Sequence, residues 1–411
     1  MADRFDRRAF LTSAAGGLVA AAALPRLAHA DQVKLPPTEA PTEQAKPPAP
    51  AAEPPGQRIG VALVGIGHLA LEQLLPAFAQ SRATRLVALV SGDRKKAEAI
   101  AAQTGVDAKR IFDYAGYDRI KDDPAIDAVY IALPNHLHAE YTVRAAQAGK
   151  HVLCEKPMAN TVEEAQQMID ACKRADRKLM IAYRIQYEPH NRYIMQAVRD
   201  RRFGKVTLIE GHNGQNVGDP AQWRLKRSAG GGALRDVGIY CLNTARFVLG
   251  EEPIWVSGAV HSTPGDPRFR EVDENTIFQL GFPSGALASF STSFGTHRAN
   301  RYRCLADHGG WIGADPAFDY DGIEVELSEV RGKERDEQRQ HPNIPARQQF
   351  ALELDHLAAC IRGNKRPFTP GEEGLQDLRI IDAIFQSARD GKRVELPRVA
   401  GLDSFRGPRP A

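Results

Sequence analysis

The feature that most constrains the fold of this chain is a buried strand that leads through a glycine-rich turn into a helix. Residues 58–67 read RIGVALVGIG, a continuous apolar run typical of a strand covered on both faces of a parallel sheet. Apolar residues follow at helical spacing: Leu71, Leu74, Leu75 and Phe78. The turn between them, GIGHLA at residues 65–70, lets backbone N–H groups approach a pyrophosphate at the helix N-terminus. This placement predicts a dinucleotide-binding unit, against the alternative of a tight strand-to-helix turn without a ligand.

The alternation of strands and helices continues along the chain. Helical patterns cover residues 94–103 and 138–148, and Thr161 with Glu164 predicts a capping box at the start of a further helix. Strand-like runs surround them: RLVALV at 85–90, IDAVYIAL at 126–133, HVLCEKP at 151–157 and KLMIAYR at 178–184. Strands that alternate with helices of this length predict a doubly wound parallel sheet, and we assign residues 57–182 to this α/β domain.

The periodicity changes after residue 184. Strands are predicted at 205–211, 254–260, 276–282 and 287–294, and Pro283-Ser284-Gly285 predicts a hairpin between the last two. Residues 183–395 are therefore expected to form a second, α+β domain for substrate binding and oligomerisation. It would be built on a largely antiparallel open sheet, and residues 396–411 would form a C-terminal tail.

The chain begins with a segment that resembles an export signal. Arg7 and Arg8 precede small apolar residues that run to Leu24, and Ala-His-Ala occupies residues 28–30. The paired arginines favour a twin-arginine signal over residues 1–30, which would export the protein already folded. An ordinary secretory signal or a membrane anchor is the alternative, but the apolar stretch is shorter than the ~20 residues that a spanning helix needs.

Residues 31–56 are rich in proline and nearly free of large apolar side chains. Such a segment cannot bury enough surface to fold alone, and its prolines favour extended conformations. Two interpretations stay open: a solvated linker, or an arm that lies across a neighbouring subunit.

Length and charge limit the classes of protein to which the chain can belong. Its 411 residues are ample for two packed cores. The net charge of +3 falls to about +1 without the four Arg and two Asp of the predicted signal, so nucleic acid is not an expected partner. The cysteines have neither metal-ligand spacing nor a disulfide pattern, and we interpret them as small apolar core residues: Cys154, Cys172, Cys241, Cys304 and Cys360.

The end of the second strand distinguishes between nicotinamide cofactors. NAD enzymes usually place there an acid that binds the ribose 2′-hydroxyl. This chain has Ser91 and Gly92, which leave room for a 2′-phosphate, and the basic Lys96 follows. Asp93 could instead serve NAD, and a plain surface helix start is a third interpretation. The pattern favours NADP.

Candidate catalytic residues occur in both domains. Lys156 directly follows the fifth strand, at the edge of the sheet where ligands bind. Asp236 and Tyr240 are four residues apart, so a helix would place them on one face. Oxidation of a hydroxyl group by a nicotinamide cofactor needs a proton acceptor, and a tyrosine needs a nearby cation to ionise below about pH 10. Spacing alone would favour a buried tyrosine that is merely hydrogen-bonded to the aspartate. The glycines at 230–232 shift the balance toward a site, because they imply that something approaches the backbone closely there.

Taken together, several motifs resemble the glucose-fructose oxidoreductase family, or the closely similar aldose-aldose oxidoreductases, within the inositol dehydrogenase superfamily. The likeness runs from about residue 57 to 394, and most of the superfamily has histidine where this chain has Tyr240. The motifs are the GIGHLA turn, LPNHLHAE at 133–140, GKHVLCEKP at 149–157, AYR at 182–184, WRLKR at 223–227, GGGALRDVGIY at 230–240, LDHLAACI at 354–361 and PGEEGLQDLRIIDAI at 370–384. The export signal and the proline-rich segment belong to the likeness.

The resemblance implies a Rossmann domain that binds NADP and assigns a role to each matching residue. In the reaction, Tyr240 would accept and donate the proton, Lys156 would favour its phenolate, and Asp236 would orient the sugar. No metal is implied. The cofactor-binding set would be Gly65, Gly67, His68 and Leu69 around the pyrophosphate, Ser91, Gly92 and Lys96 at the 2′-phosphate, Leu133, Pro134, Asn135 and His138 at the nicotinamide ribose, Glu155 and Lys156 beside the nicotinamide, and Arg184, Trp223 and Arg224 closing the pocket.

The resemblance further implies a periplasmic enzyme, active as a homodimer or homotetramer, that keeps its NADP. It would oxidise an aldose such as glucose at C1 to the lactone and then reduce a second sugar, fructose to sorbitol or an aldose to its alditol, in ping-pong order. No membrane contact is expected after signal removal. The alternatives are an aldose dehydrogenase with exchanging NADP, an NAD-dependent glycosidase, which Tyr240 in place of histidine disfavours, and a sugar sensor, which would lack Lys156 or Tyr240.

Overall fold

A computed structural model describes residues 33–40, 42–43, 51–331 and 336–410 of the chain. The predicted signal peptide, residues 1–30, lies outside these ranges. Within them, strands form two sheets, of six and nine strands, which we call the first and the second sheet. In the same ranges no helix combines the length and apolar character that crossing a membrane requires.

The first sheet is parallel throughout and has the strand order β3-β2-β1-β4-β5-β6. Its order reverses at β1, which pairs with β2 on one side and with β4 on the other, so the crevice at the carboxyl end of β1 is the expected ligand site. The strands are β1 (Ile59–Val64), β2 (Thr84–Val90), β3 (Ile111–Phe112), β4 (Ala128–Ile131), β5 (His151–Glu155) and β6 (Leu179–Ala182).

Four helices of the first domain connect these strands, among the described residues: α1 (Leu75–Gln80), α2 (Arg94–Thr104), α3 (His138–Gln147) and α4 (Val162–Arg174). A wide helical turn, Ala70–Leu74, precedes α1 and completes the predicted helix after the glycine turn. Helix α4 begins with a capping box, as predicted: the Thr161 hydroxyl accepts from the Glu164 N–H at 3.1 Å, and the Glu164 carboxylate accepts from the Thr161 N–H at 3.3 Å.

The second sheet is mostly antiparallel, and only its central strands β7 and β10 pair in parallel. Its order is β14-β13-β12-β11-β7-β10-β9-β8-β15. The strands are β7 (Val206–Asn216), β8 (Trp255–His261), β9 (Asn275–Gly281), β10 (Leu287–Ser293), β11 (Gly295–Ala306), β12 (Gly310–Ala314), β13 (Val325–Arg331), β14 (Asp336–Gln340) and β15 (Val394–Glu395). The remaining helices of the described chain are α5 (Pro189–Arg199), α6 (Ile239–Leu249), α7 (Gln349–Arg362) and α8 (Gly371–Asp390).

The predicted fold class is confirmed, with a parallel sheet first and a largely antiparallel sheet second. The predicted hairpin is also confirmed, because β9 and β10 pair antiparallel across residues 282–286. The sequence predicted that β7 ends at residue 211, but the strand continues to Asn216. Strands β11 to β14 were not predicted from the sequence, since their polar and glycine-containing residues weaken the alternating pattern.

The last two helices return to the first domain. The Asp355 carboxylate on α7 accepts from the backbone N–H groups of Arg82 and Ala83, each at 2.9 Å, just before β2. The Ile181 N–H in β6 donates to the Thr369 carbonyl before α8 at 2.8 Å. The second part of the chain therefore packs against the first sheet through α7 and α8.

The proline-rich segment lies against its own chain where it is described. Val33 and Leu35 pack on the core, and the Val33 carbonyl accepts from the Gln103 side chain at 2.8 Å. Further along, Glu53 forms an ion pair with Arg362 on α7 at 2.6 Å. The predicted arm across a neighbouring subunit stays a prediction.

We expect Thr161→Ala to lower the free energy of unfolding by about 1 kcal/mol, because the first turn of α4 loses its cap. Hydrogen exchange in that turn should accelerate, and urea unfolding should shift to lower concentration. Thr161→Ser keeps the hydroxyl and serves as the control, with stability near that of the parent. Equal stability of the alanine and serine variants would contradict this role for the cap.

Candidate active site

The glycine turn lies at the carboxyl end of β1. Gly65 has φ of +91°, and a Cβ there would lie 2.6 Å from the Ala132 carbonyl after β4. At Gly67, by contrast, no described atom lies within 4 Å of the position that a Cβ would take. The turn therefore packs tightly on one side and leaves its backbone open on the other, as a nucleotide pyrophosphate requires. Leu69 packs against the core, and the exposed His68 ring lies 3.1 Å from Glu72.

The residues predicted for the 2′-phosphate lie together after β2. The Ser91 hydroxyl accepts from the Asp93 N–H at 3.0 Å, and the Asp93 carboxylate caps α2 by accepting from the Lys96 N–H at 3.0 Å. The Lys96 ammonium donates to the Ile66 carbonyl in the glycine turn at 2.6 Å, and burial lowers the pKa of this lysine. Asp93 thus has a local role as a helix cap, and the ammonium of Lys96 lies next to the glycine turn.

The loop after β4 joins the two parts of the site. The buried Asn135 side chain donates to the Gly230 carbonyl of the second domain at 3.0 Å. The buried His138 ring contacts two carbonyls, those of Leu133 and Pro157, each at 2.9 Å. Because both ring nitrogens are engaged, His138 acts on the site through the two loops that it ties together. Pro134 directly precedes the short helical turn Asn135–Leu137.

Lys156, Asp236 and Tyr240, the predicted catalytic set, are adjacent. The Lys156 ammonium donates to the Asp236 carbonyl at 2.8 Å and to its carboxylate at 3.3 Å. The same ammonium lies 4.7 Å from the centre of the Tyr240 ring. Asp236 lies in a wide helical turn, Leu234–Gly238, that leads into α6, and Lys156 links it to the tyrosine.

The charged neighbours of Lys156 and Asp236 favour the charged forms of both side chains. Burial alone would lower the pKa of Lys156, but the neighbouring Tyr240 and Asp236 raise it above its ordinary value. Burial would raise the pKa of Asp236, but Lys156 and Arg224 hold it below its ordinary value. For Glu155, whose carboxylate accepts from the Tyr130 hydroxyl at 2.9 Å, burial prevails and raises the pKa.

Arg184 is a second cation at Tyr240. Its Nε lies 3.3 Å from the Tyr240 hydroxyl as a donor, and its guanidinium lies 4.9 Å from the centre of the ring. The guanidinium is fixed by the Gln349 side-chain oxygen at 2.6 Å and by the carbonyls of Phe318 and Asp319 at 2.5 and 3.1 Å. Sequence reasoning assigned Arg184 only to pocket closure, and the structure places it on the hydroxyl itself.

The glycine run at 230–232 packs on protein groups. A Cβ at Gly230 would collide with the Asn160 side chain, and a Cβ at Gly231 with the Arg224 carbonyl. Arg224 is held in return, because its Nε donates to the Asp236 carboxylate at 2.9 Å and its guanidinium lies 4.7 Å from the Trp223 ring centre. The glycines therefore bring the Trp223–Arg224 segment onto the Asp236 carboxylate.

A small pocket lies at Lys156 and Tyr240. Its other lining residues are Tyr183, Ile185, Ile239 and Asn243, which sequence reasoning did not single out. Two signals could have found them: Tyr183 directly precedes Arg184 in the AYR motif, and Asn243 follows Tyr240 by one helical turn. The pocket and the glycine turn both lie at the carboxyl ends of the first sheet, so the residues present fit a dinucleotide whose reactive end reaches Lys156.

Comparison with known proteins agrees with this geometry. Residues 59–183 match the model of an oxidoreductase family with an NAD-binding Rossmann fold, and residues 191–311 match the GFO/IDH/MocA C-terminal domain. The chain belongs to this oxidoreductase family, as predicted.

Two similar proteins act on sugars by name. The crystal structure of aldose-aldose oxidoreductase from Caulobacter crescentus has 43% sequence identity and a TM-score of 0.78, covering 82% of this chain and 100% of that one. The D-xylose 1-dehydrogenase [NADP(+)] of Haloarcula marismortui is 33% identical over 82% of this chain and 92% of its own length.

We expect Asp236→Asn to lower the free energy of unfolding at pH 7 by about 3 kcal/mol, because Lys156 and Arg224 lose their buried carboxylate. The folded pKa of Asp236 is lowered, so its contribution is present above the ordinary value of about 4 and is lost as the pH falls through the folded value. The difference in the free energy of unfolding between parent and variant should therefore become smaller as the pH falls from 7 to 3.

Glu271→Gln is the matched control, since Glu271 pairs with Lys226 at 3.4 Å on the surface, where an ion pair contributes little. Urea unfolding of the three proteins across this pH range makes the measurement. Equal losses in both variants, or a gap for Asp236→Asn that does not change with pH, would contradict the assigned charges.

Proposed function

We propose that this protein is an NADP-dependent oxidoreductase that acts on CH–OH groups of sugars and couples the oxidation of an aldose to the reduction of a second sugar. The observation that carries the proposal is the position of Tyr240 between Lys156 and Arg184 at the end of the Rossmann crevice. The predicted sugar substrates and NADP agree with the aldose-aldose oxidoreductase and the NADP(+)-dependent D-xylose dehydrogenase to which the chain is similar.

The first domain holds the cofactor. The open backbone at Gly67 would receive the pyrophosphate, and Ser91, Gly92 and Lys96 would surround the 2′-phosphate. When bound, NADP supplies the hydride acceptor in sugar oxidation and the hydride donor in sugar reduction. Its reactive end would lie beside Lys156, in the pocket with Tyr240.

The second domain supplies the proton chemistry. In the oxidation, the Tyr240 oxygen accepts the proton of the sugar hydroxyl; in the reduction, the same oxygen returns a proton to the product. The cations of Lys156 and Arg184 stabilise negative charge on that oxygen. Asp236, fixed by Lys156 and Arg224, presents a carboxylate that orients the sugar.

We further propose that both half-reactions use one pocket in ping-pong order and that NADP stays bound between them. The support is the predicted export signal, since a nucleotide lost outside the cytoplasm could not readily be replaced. The aldose would leave as its lactone before fructose or a second aldose enters. Export by the twin-arginine route to the periplasm would follow folding and cofactor binding in the cytoplasm.

One observation favours a second candidate. D-xylose 1-dehydrogenases of two organisms, named with NADP(+), align with most of this chain at 33% and 30% identity. A dehydrogenase of this kind would exchange its cofactor after each turnover and would release one oxidised sugar without reducing another.

Cofactor retention separates the two candidates. We expect protein purified and dialysed without added nucleotide to carry NADP, released on acid denaturation and assayed enzymatically. Glucose added to the intact protein should produce the absorbance of the reduced form. An empty protein that needs added NADP in every assay would favour the exchanging dehydrogenase.

Tyr240→Phe removes the proton acceptor and little volume. We expect bound NADP and folding to survive, while the reduction of bound NADP by glucose slows by ~10²-fold, the usual loss for a general base. Tyr193→Phe is the control, because Tyr193 accepts from Arg202 at the surface, remote from the residues that line the pocket. Single-turnover rates decide the test, and a parent rate in Tyr240→Phe would place the proton acceptor elsewhere. Adding Lys156→Met should slow the reaction by less than the product of the single effects, because both changes act on one step, the transfer of the sugar proton to Tyr240.

We also propose that the second sheet joins two subunits. Its face opposite α6 exposes Leu208, Ile277 and Leu287, and Leu208 pairs with Leu287 across β7 and β10. Exposed apolar side chains on neighbouring strands are typical of an interface. Ile277→Asp should shift light scattering toward the monomer, whereas Leu402→Asp, at an exposed leucine of the C-terminal tail, should leave the oligomer intact. An unchanged oligomer in Ile277→Asp would reject this face as the interface.

A further inference from the structure

The C-terminal tail carries a buried arginine that the sequence did not single out. The Arg406 side chain is 0% exposed. Its guanidinium donates to the Glu373 carboxylate on α8 at 2.5 Å, to the Gln186 side chain at 3.2 Å and to the Asp403 carboxylate at 3.2 Å. The tail is held on both sides of this arginine, because the Asp403 N–H donates to the Gly250 carbonyl and the Gly407 N–H to the Phe368 carbonyl.

Arg406 completes a buried network of charges. Arg246 on α6 contacts the carboxylates of Glu252 at 2.7 Å, Glu373 at 2.9 Å and Asp377 at 2.5 Å. Among the described residues, the fully buried part of this network contains the guanidiniums of Arg246 and Arg406 and the carboxyl groups of Glu252, Glu373 and Asp377. The carboxyl groups therefore outnumber the guanidiniums. Burial raises the pKa of Asp377 to about 6 although Arg246 is adjacent. Removal of Arg406 would leave Arg246 as the one buried guanidinium of the described network to offset these carboxyl groups.

The network reaches the pocket through Gln186 and Asn243. The Gln186 side chain donates to the Asn243 oxygen at 2.7 Å, and its own oxygen accepts from Arg406. The Asn243 amide donates to Glu373 at 3.0 Å and to Asp377 at 2.9 Å. Asn243 lines the pocket together with Lys156 and Tyr240.

Two hydrogen bonds thus connect the turn Arg184–Gln186 to helix α6. The short turn Arg184–Gln186 carries Arg184, which donates to the Tyr240 hydroxyl, and Gln186, which donates to Asn243. Helix α6 carries both acceptors, one helical turn apart. The contact made by Gln186 therefore fixes the turn relative to α6, and Arg406 holds Gln186 from behind.

We propose that Arg406 is a positioning residue for proton transfer: through Gln186 it holds the turn Arg184–Gln186 against α6 and so maintains the hydrogen bond from Arg184 to Tyr240. The inference rests on the proposed role of Tyr240 as proton acceptor. The C-terminal tail would then contribute to proton transfer through Gln186, although the tail does not line the pocket.

The test compares Arg406→Met, Arg406→Lys and the control Arg409→Met, whose arginine is 40% exposed in the same tail. Each protein is loaded with NADP, and the limiting rate of cofactor reduction and the half-saturating glucose concentration are measured per NADP-loaded molecule. We expect Arg406→Met to lower the limiting rate at least tenfold with little change in half-saturation, Arg406→Lys to recover much of that rate, and Arg409→Met to match the parent.

A parent limiting rate in Arg406→Met, with only a lower unfolding temperature, would overturn the proposal. If Arg406→Met does not fold, Gln186→Met keeps every charge and breaks the same link, so it should give the same slow reduction, and a parent rate in it would overturn the proposal equally. The proposed function and the positioning role fail in different ways. A Tyr240→Phe variant that reduces its NADP at the parent rate would reject the role of the tyrosine. A slow Tyr240→Phe variant together with an Arg406→Met variant at the parent rate would reject only the positioning role of Arg406.

Discussion

The buried contact between Lys156 and Asp236 is the interaction on which the site depends. Lys156 follows the last residue of β5 in the first sheet, and Asp236 precedes α6 in the second part of the chain, so the contact joins the two halves of the molecule. A buried lysine and a buried aspartate each lose hydration, and either one alone would favour its neutral form. Together, with Arg224 as a second cation on the carboxylate, both stay charged.

Two cations flank the Tyr240 side chain. The ammonium of Lys156 lies over its ring, and Arg184 donates to its hydroxyl. Packing of Gly230 against Asn160 and of Gly231 against the Arg224 backbone brings Arg224 onto the Asp236 carboxylate. Under the proposed function, these contacts fix the proton acceptor in position, which is the arrangement that electrostatic catalysis requires.

Local patterns in the sequence predicted the first sheet, the β9–β10 hairpin and the capping box at Thr161, because each depends on residues close together in the chain. The family, the fold class and NADP-dependent sugar chemistry followed from the set of motifs. Long-range features could not be predicted: β14 is almost entirely polar and is a strand only because β13 pairs with it, and Arg406 lies in a tail without periodicity. The partners of the glycine run, about 70 residues upstream in the case of Asn160, are likewise set by tertiary packing.

The central claim is that one pocket oxidises one sugar and reduces another with a nucleotide that never leaves. Transfer of deuterium tests it most directly: glucose labelled at C1 is mixed with dialysed protein and fructose, or xylose, without added nucleotide, and the products are examined by mass spectrometry. The account predicts one deuterium in each sorbitol or alditol formed, in equal amount to the lactone. Absence of a reduced sugar until NADP is added, or a reduced sugar without deuterium, would contradict it.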